Sequence, residues 1–269
     1  MLETIYIARH GFRLNWVSTT WKSETGLPRD PPLTAFGVTQ AKELGDYFLS
    51  LPEDQRPTAI FSSPYYRCLQ TSKPVSNALG IPIYIEHGIA EWYSPASPGT
   101  GLHPRPGSAS SLKSYFPEID AETWSPIYYP TRKGEDVQQV HDRIDEFLVH
   151  FVPYVENKFQ HKRILLVSHA ATVIALAREL LGQRDLGLRV GCCSLSEFVR
   201  KPGATNVLGG WEAKRLAEAE FLTGGVQRDW GFEDIEIENG KVVNDSGEPG
   251  TENELDAPVG LQVRMTSSL

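Results

Sequence analysis

Four short apolar runs, each followed within six residues by an arginine, a glutamate or a histidine, constrain this chain more than any other feature. The first, Thr4 to Ala8, is rich in β-branched residues and reads as a buried strand. It stops at Arg9-His10-Gly11, where a glycine permits a sharp turn that side chains would obstruct, and Arg13 follows within reach. Thr58 to Phe61 leads into Ser63-Pro64, a good helix start, which puts Arg67 in the first turn of a helix. Ile81 to Ile85 leads to Glu91, set between Ile89-Ala90 and Trp92-Tyr93. Ile164 to Val167, the strongest strand signal in the chain, ends at His169, and a helix from Ala170 to Leu181 follows with Gly182 as its stop. Any one of these residues, taken alone, reads as a surface arginine, a loop carboxylate or a packed histidine. In a mostly parallel sheet the four ends gather on one rim, where open α/β sheets bind ligands.

Composition narrows the classes. The 269 residues suffice for one large α/β domain or two small ones, and a formal net charge of −8 argues against nucleic-acid binding by bulk charge. The three cysteines, Cys68, Cys192 and Cys193, suggest neither a disulfide framework nor a metal site, which points to a reducing, intracellular setting. The start enters a strand directly without a signal segment, and no run is long enough to span a membrane.

Between the strand ends, Val17 to Pro32 reads as a polar loop. Thr34 caps a helix with Val38, Ala41, Leu44 and Phe48 as its stripe. The Pro-, Gly- and Ser-rich segment from Ser94 to Pro117 opens a long excursion, about 94–130, over the top of the domain. A helix is expected from about Glu135 to about Phe159, kinked or divided at Pro153, with Val137, Val140, Ile144, Phe147 or Leu148, and Phe151 as its stripe. Cys193 to Val199 reads as a strand on a sheet edge. Trp211 to Leu222 has helical composition in a frame that suits a hairpin. Ile235 to Val243 reads as a short β segment around Asn239-Gly240, and from about Asn244 an acidic, loose tail is expected.

The rim residues form a chemically consistent set. A phosphate dianion would meet Arg9, Arg13 and Arg67, with His169 as a further donor. These groups would neutralise charge on the equatorial oxygens during transfer. His10 could attack phosphorus, kept neutral by the neighbouring arginines. Glu91 is the candidate acid for the departing oxygen, its pKa raised by apolar neighbours, with the arginines opposing the rise until a phosphate is bound. No metal or cofactor is called for, since the arginines supply the electrostatics.

Arg9-His10-Gly11, Pro32-Leu33-Thr34 with Gly37 and Gln40-Ala41, Ser63-Pro64-Tyr65-Tyr66-Arg67 with Thr71, and Val167-Ser168-His169-Ala170 together resemble the histidine phosphatase superfamily, in its phosphoglycerate mutase-like branch. The resemblance implies a three-layer α/β/α sandwich with a mostly parallel central sheet and a phosphohistidine at His10. It further implies a pocket of Arg9, Arg67 and His169, with Glu91 as proton donor. Arg9 to Trp16 and Gly88 to Tyr93 look most like a fungal group that includes the histidine-phosphatase subunit of transcription factor IIIC and its stand-alone relatives. Trp211 with Glu220-Phe221-Leu222, Gly225 and Trp230-Gly231-Phe232 is similar too, which favours the hairpin there. Within that motif Arg13 and Asn15 are the candidate substrate-binding residues. The mutase pattern after Arg-His-Gly is absent; Phe12 and Arg13 stand there, as an arginine does in phosphotyrosine-directed members.

The expectation is therefore one histidine phosphatase domain over 1–243 and a tail over 244–269. The implied activity is metal-independent hydrolysis of a phosphorylated small molecule or phosphopeptide, phosphotyrosine and other aryl phosphates among the candidates. Direct nucleic-acid and membrane partners are not expected. Transcription factor IIIC subunits are admitted as partners but not favoured, because the long C-terminal docking half of that subunit is absent. The expected location is cytoplasmic, nuclear or both.

Overall fold

Alternation within the buried runs builds the central layer. In the computed structural model, which describes residues 1–238 and 241–263, Thr4–Arg9 forms β1, Ile60–Ser62 β2, Ile83–Ile85 β3 and Arg163–Ser168 β5. The intervening β4 is the two-residue Tyr128–Tyr129. Strands β3, β2, β5 and β1 lie side by side and parallel, followed by β6 (Leu195–Arg200) and β7 (Trp211–Glu218) in antiparallel sequence. Ile5, Ile7, Phe61, Ile164 and Leu166 face the helices α4 (Val137–Lys158) and α5 (Ala170–Leu181) through Ile144, Phe147, Phe151 and Ile174. Tyr6, Ala8, Ile60, Leu165 and Val167 face α1 (Ala35–Ser50) and α2 (Tyr66–Leu79) through Leu44, Phe48, Leu69 and Val75. A mostly parallel sheet covered on both faces needs such apolar runs on both sides of each strand. This is the expected α/β/α sandwich.

Several local expectations are met. Thr34 caps α1 by accepting from the Gly37 amide at 2.9 Å, and Gly182 ends α5 in the left-handed region at φ 67°. Others need correction. Val38 is exposed, and its place in the stripe is taken by buried Gln40, whose Oε1 accepts from the Phe12 amide at 3.0 Å. Helix α4 is not divided at Pro153 but runs through it from its Asp136 capping box to Lys158. Strand β6 is not at the edge, because Trp211–Glu218 pairs along it and buries Trp211 beneath the Arg200 guanidinium, 4.5 Å from the ring. The helical composition of that segment loses to strand pairing. Around Asn239-Gly240, β8 (Ile237–Glu238) pairs with β9 (Lys241–Val242); the two turn residues themselves lie outside the described residues.

The largest correction concerns the C-terminal segment. Of the expected tail, residues 264–269 lie outside the described residues, and 244–263 run back across the long excursion, which also carries the short helix α3 (Ala109–Leu112). Ser97 donates its amide to Asp245 O (2.8 Å), Glu248 donates to Leu102 O (3.0 Å), and β10 (Gly260–Leu261) pairs with β4. Acidic side chains that had nothing apolar to bury find arginines instead: Asp245 and Glu248 pair with Arg29, Glu254 with Arg132, and Asp256 with Arg105. The excursion gains partners for its backbone groups in return. No helix among the described residues is long and apolar enough to cross a membrane.

Candidate active site

The carboxyl ends of β1, β2, β3 and β5 supply the site, and adjacent backbones fix each side chain. The His10 amide continues the ladder onto Ser168 O at 2.9 Å. Its neighbour Gly11 is needed for close approach: an added Cβ would lie 2.8 Å from Gly37 O, and one on Gly37 would lie 2.3 Å from Phe12 O. The Gly11 amide donates to Thr71 Oγ1 at 3.0 Å, and the Thr71 hydroxyl donates to Arg67 O. The turn after His10 is thus pinned to α1 through Gln40 and to α2 through Thr71.

His10 is buried with Nδ1 2.8 Å from Gly11 O. A carbonyl only accepts, so Nδ1 carries the proton and Nε2 keeps its lone pair. Burial, then Arg67, Arg9, His169 and Arg13, hold the imidazole pKa well below its ordinary value, so the ring is neutral. His169 lies edge-on at 5.3 Å between centroids. Its Nε2 is 2.7 Å from Ser63 Oγ, and its Nδ1 is 3.3 Å from both Arg67 Nη2 and Glu91 Oε2. Burial lowers its pKa to about 4, against the pull of Glu91.

Arg67 is buried and forked between two carboxylates, Nη1 on Asp30 Oδ1 at 2.9 Å and Nη2 on Glu91 Oε2 at 3.0 Å. Burial works against its charge, but Asp30 and Glu91 hold its pKa above the ordinary value. Arg9 donates to the carbonyls of Val190 and Arg228. Arg13 lies over the Trp16 ring at 4.3 Å. Arg9, Arg13 and Arg67 each keep a buried Nε–H without a partner among the described residues. Burial alone would raise the pKa of Glu91. His169, Arg67 and Arg13 outweigh it and hold the carboxyl well below its usual range, so the elevated acid expected from its apolar neighbours is not the state of the phosphate-free site.

His10, Glu91 and His169 offer atoms within 4.8 Å of one another, a spacing that could also hold a metal ion. Three guanidiniums around them favour an anion over a cation. Six of the seven residues singled out from the sequence thus stand together. Asn15 does not join them: it is exposed on the turn Leu14–Trp16 and makes no hydrogen bond to the cluster among the described residues.

Residues 5–211 match the histidine phosphatase superfamily (branch 1). The chain belongs to that superfamily. The transcription factor tau 55 kDa subunit of Saccharomyces cerevisiae is 35% identical over 261 residues, which cover 87% of this chain and 59% of the yeast protein. Human ubiquitin-associated and SH3 domain-containing protein A is 31% identical over 178 residues, 64% of this chain and 25% of that protein. The chain therefore spans little more than half of one relative and a quarter of the other. Among solved structures, the ecdysone phosphate phosphatase of Bombix mori, in complex with tungstate, superposes with a TM-score of 0.59 at 17% identity, covering 79% of this chain and 92% of that one. This likeness concerns the fold.

Two members of the histidine phosphatase cluster escaped sequence reasoning. Asp30 lies in a polar loop without periodicity, where a buried carboxylate looks like a solvated one. Its Oδ2 accepts from the Tyr66 amide at 2.8 Å, so it also serves the otherwise uncapped start of α2. Ser63 was visible as part of a helix start, but its hydroxyl faces His169. Trp92 and Tyr93 pack the loops: Trp92 Nε1 donates to Glu135 O at 2.8 Å, and Tyr93 stacks on His103 at 4.7 Å.

Proposed function

We propose that this protein is a phosphomonoester phosphatase that works through a phosphohistidine on His10. The observation that carries the reading is the pairing of a neutral His10, its Nδ1 proton held by Gly11 O, with three arginines whose buried Nε–H groups have no partner among the described residues. An arriving phosphate dianion would satisfy those donors and neutralise their charge. His10 Nε2 then attacks phosphorus while the ester P–O bond breaks, and Glu91 gives its proton to the leaving oxygen. Phosphate binding screens the arginines and lets Glu91 take up that proton beforehand. In the second half, Glu91 accepts a proton from water as the water attacks phosphorus and the P–N bond breaks. The products are the alcohol and inorganic phosphate, with His10 neutral again.

We extend the proposal to aryl phosphates such as phosphotyrosine, because Arg13 stands where phosphotyrosine-directed members carry an arginine. A phosphoglycerate-type mutase is the weaker reading, since the residues that would hold a second acid group have no counterpart motif here. A role as a transcription factor IIIC-type subunit is the second reading, favoured by the 35% identity to the yeast subunit, and it would place the protein in the nucleus. A substrate panel on the purified protein tests the first reading. It should contain phosphotyrosine and phosphoserine peptides, sugar phosphates and phosphoglycerates. Hydrolysis above the His10→Ala background is expected. Absence of turnover on every class would leave the scaffold reading.

A further inference from the structure

Arg67 is held from behind by a loop that the C-terminal segment grips. Asp30 is only 1% exposed, and both its oxygens are committed to α2, one to the Arg67 guanidinium and one to the Tyr66 amide. The preceding residue, Arg29, adopts φ 57°, a left-handed conformation uncommon outside glycine. Its own carbonyl lies 3.4 Å from Arg67 Nη1. Among the described residues, the Arg29 side chain has one aromatic ring beneath it, and its hydrogen bonds and ion pairs all go to the C-terminal segment. It pairs with Asp245 at 3.3 Å and Glu248 at 3.0 Å, donates to Ser246 O, and lies 5.7 Å from the Tyr93 centroid. That segment is itself seated tightly on the excursion. Gly247 donates to Thr100 Oγ1, Leu102 donates to Thr251 Oγ1, and a Cβ on Gly101 would lie 2.3 Å from Glu248 O.

We infer that Asp30 is a positioning residue for Arg67, and that residues 245–248 form a strap that sets Asp30 through Arg29. This inference rests on the phosphatase reading, in which Arg67 binds the substrate phosphate. The physical argument is a competition. Arg67 divides its fork between Asp30 and Glu91, so Asp30 keeps one Nη on its own carboxylate and leaves the other shared. Without the Asp30 charge, Glu91 is the sole counter-ion of a buried guanidinium and can take both ends in the favoured bidentate arrangement. A phosphate would then have to displace a stronger internal pair. The strap acts at one remove. Its ion pairs with Arg29 are partly exposed and individually weak, but they fix the backbone that carries Asp30.

The test measures inorganic phosphate binding by titration calorimetry and hydrolysis of para-nitrophenyl phosphate. Asp30→Asn is expected to weaken phosphate binding by about tenfold, equivalent to about 1.4 kcal/mol, with KM rising more than kcat falls. Arg29→Ala, which leaves the Asp30 carboxylate in place, is expected to weaken it by about threefold, and Arg29→Lys to recover part of that loss. The double variant should bind no worse than Asp30→Asn alone, because both changes act through one group. Unchanged or tighter phosphate binding in Asp30→Asn would overturn the inference and make Asp30 a charge screen or a simple helix cap. A lowered melting temperature without a change in phosphate affinity would do the same. Additive losses in the double variant would overturn the strap. If Asp30→Asn does not fold, Arg29→Ala carries the test alone, and wild-type phosphate affinity there refutes it. Arg67→Ala keeps the two readings apart: undiminished binding and turnover in that variant would count against the phosphatase reading itself.

Discussion

Replacing Glu91 by glutamine separates its chemistry from its electrostatics. Glu91 Oε2 accepts from Arg67 at 3.0 Å and lies 3.3 Å from His169 Nδ1. Glutamine keeps an acceptor for Arg67, and Asp30 remains as a counter-ion. The loss in stability should therefore stay near 1–2 kcal/mol, below the ~3–5 kcal/mol expected when a buried charge is left unpaired. Because the Glu91 pKa is depressed in the fold, its ionised form stabilises the chain above the ordinary carboxyl range, near ~4.3. That contribution is lost as pH falls through the folded-state value, so the two proteins should converge in stability at low pH. Catalysis should respond differently. An alkoxide cannot leave unprotonated near neutral pH, and a positioned acid typically contributes about 10²–10⁴-fold. Glu91→Gln should cut turnover of phosphoserine by that order, and turnover of para-nitrophenyl phosphate by less than about tenfold. Steady-state kinetics on both substrates across pH is the assay. Equal losses for good and poor leaving groups would refute the role of Glu91 as acid and point to His169.

Acid should destabilise the fold before its ion pairs titrate. Burial lowers the pKa of His10, of His169 to about 4 and of His87 to about 3. The unfolded chain therefore binds more protons below ~6.5, and each group should remove about 1.4 kcal/mol per pH unit as pH falls towards its folded value. Buried Glu86, raised to about 7, and Asp30, Glu135 and Glu179, also raised by burial, work in the opposite sense, while the lowered His103, His141 and His161 add to the loss; urea titrations from pH 7 to 4 should show a net loss. Ending the chain at Val243 removes the acidic partners of Arg29, Arg105 and Arg132. It should lower stability, because the excursion loses its hydrogen bonds to this segment, each worth roughly 1 kcal/mol before the entropy of releasing the segment is set against them, whereas an unchanged melting temperature would restore the picture of a loose tail. Arg13→Ala should raise KM about tenfold with a smaller change in kcat, since its guanidinium rests on Trp16 and hydrogen-bonds no other side chain among the described residues; a loss of kcat as deep as in His10→Ala would make it central to the chemistry.

The strand ends were legible because each is a local event, a β-branched run broken by a polar or glycine residue. His10, Arg67, Glu91 and His169 follow those breaks, so topology alone brings them together. Asp30 and the strap were not legible for the complementary reason. Their partners lie 37 positions away for Arg67 and 216 for Arg29 to Asp245, and polar pairing over such distances leaves no periodicity in the sequence. Strand β7 was ambiguous because its half-exposed Ala, Lys and Glu residues fit a helix by propensity, and only the β6 backbone decides between the two. For Glu91 the opposition of the arginines to its apolar neighbours was legible once the strand ends were placed on one rim, whereas the contribution of His169, which arrives from β5, was not.

The central claim is that His10 carries the phosphoryl group. Brief mixing of the protein with a phosphorus-labelled aryl phosphate, followed by alkaline quenching and peptide mapping, tests it most directly. The account predicts an acid-labile, base-stable label on the peptide containing His10, formed and lost at rates compatible with turnover and absent from His10→Ala. Full hydrolysis by the alanine variant, or a label on any other residue, would contradict it.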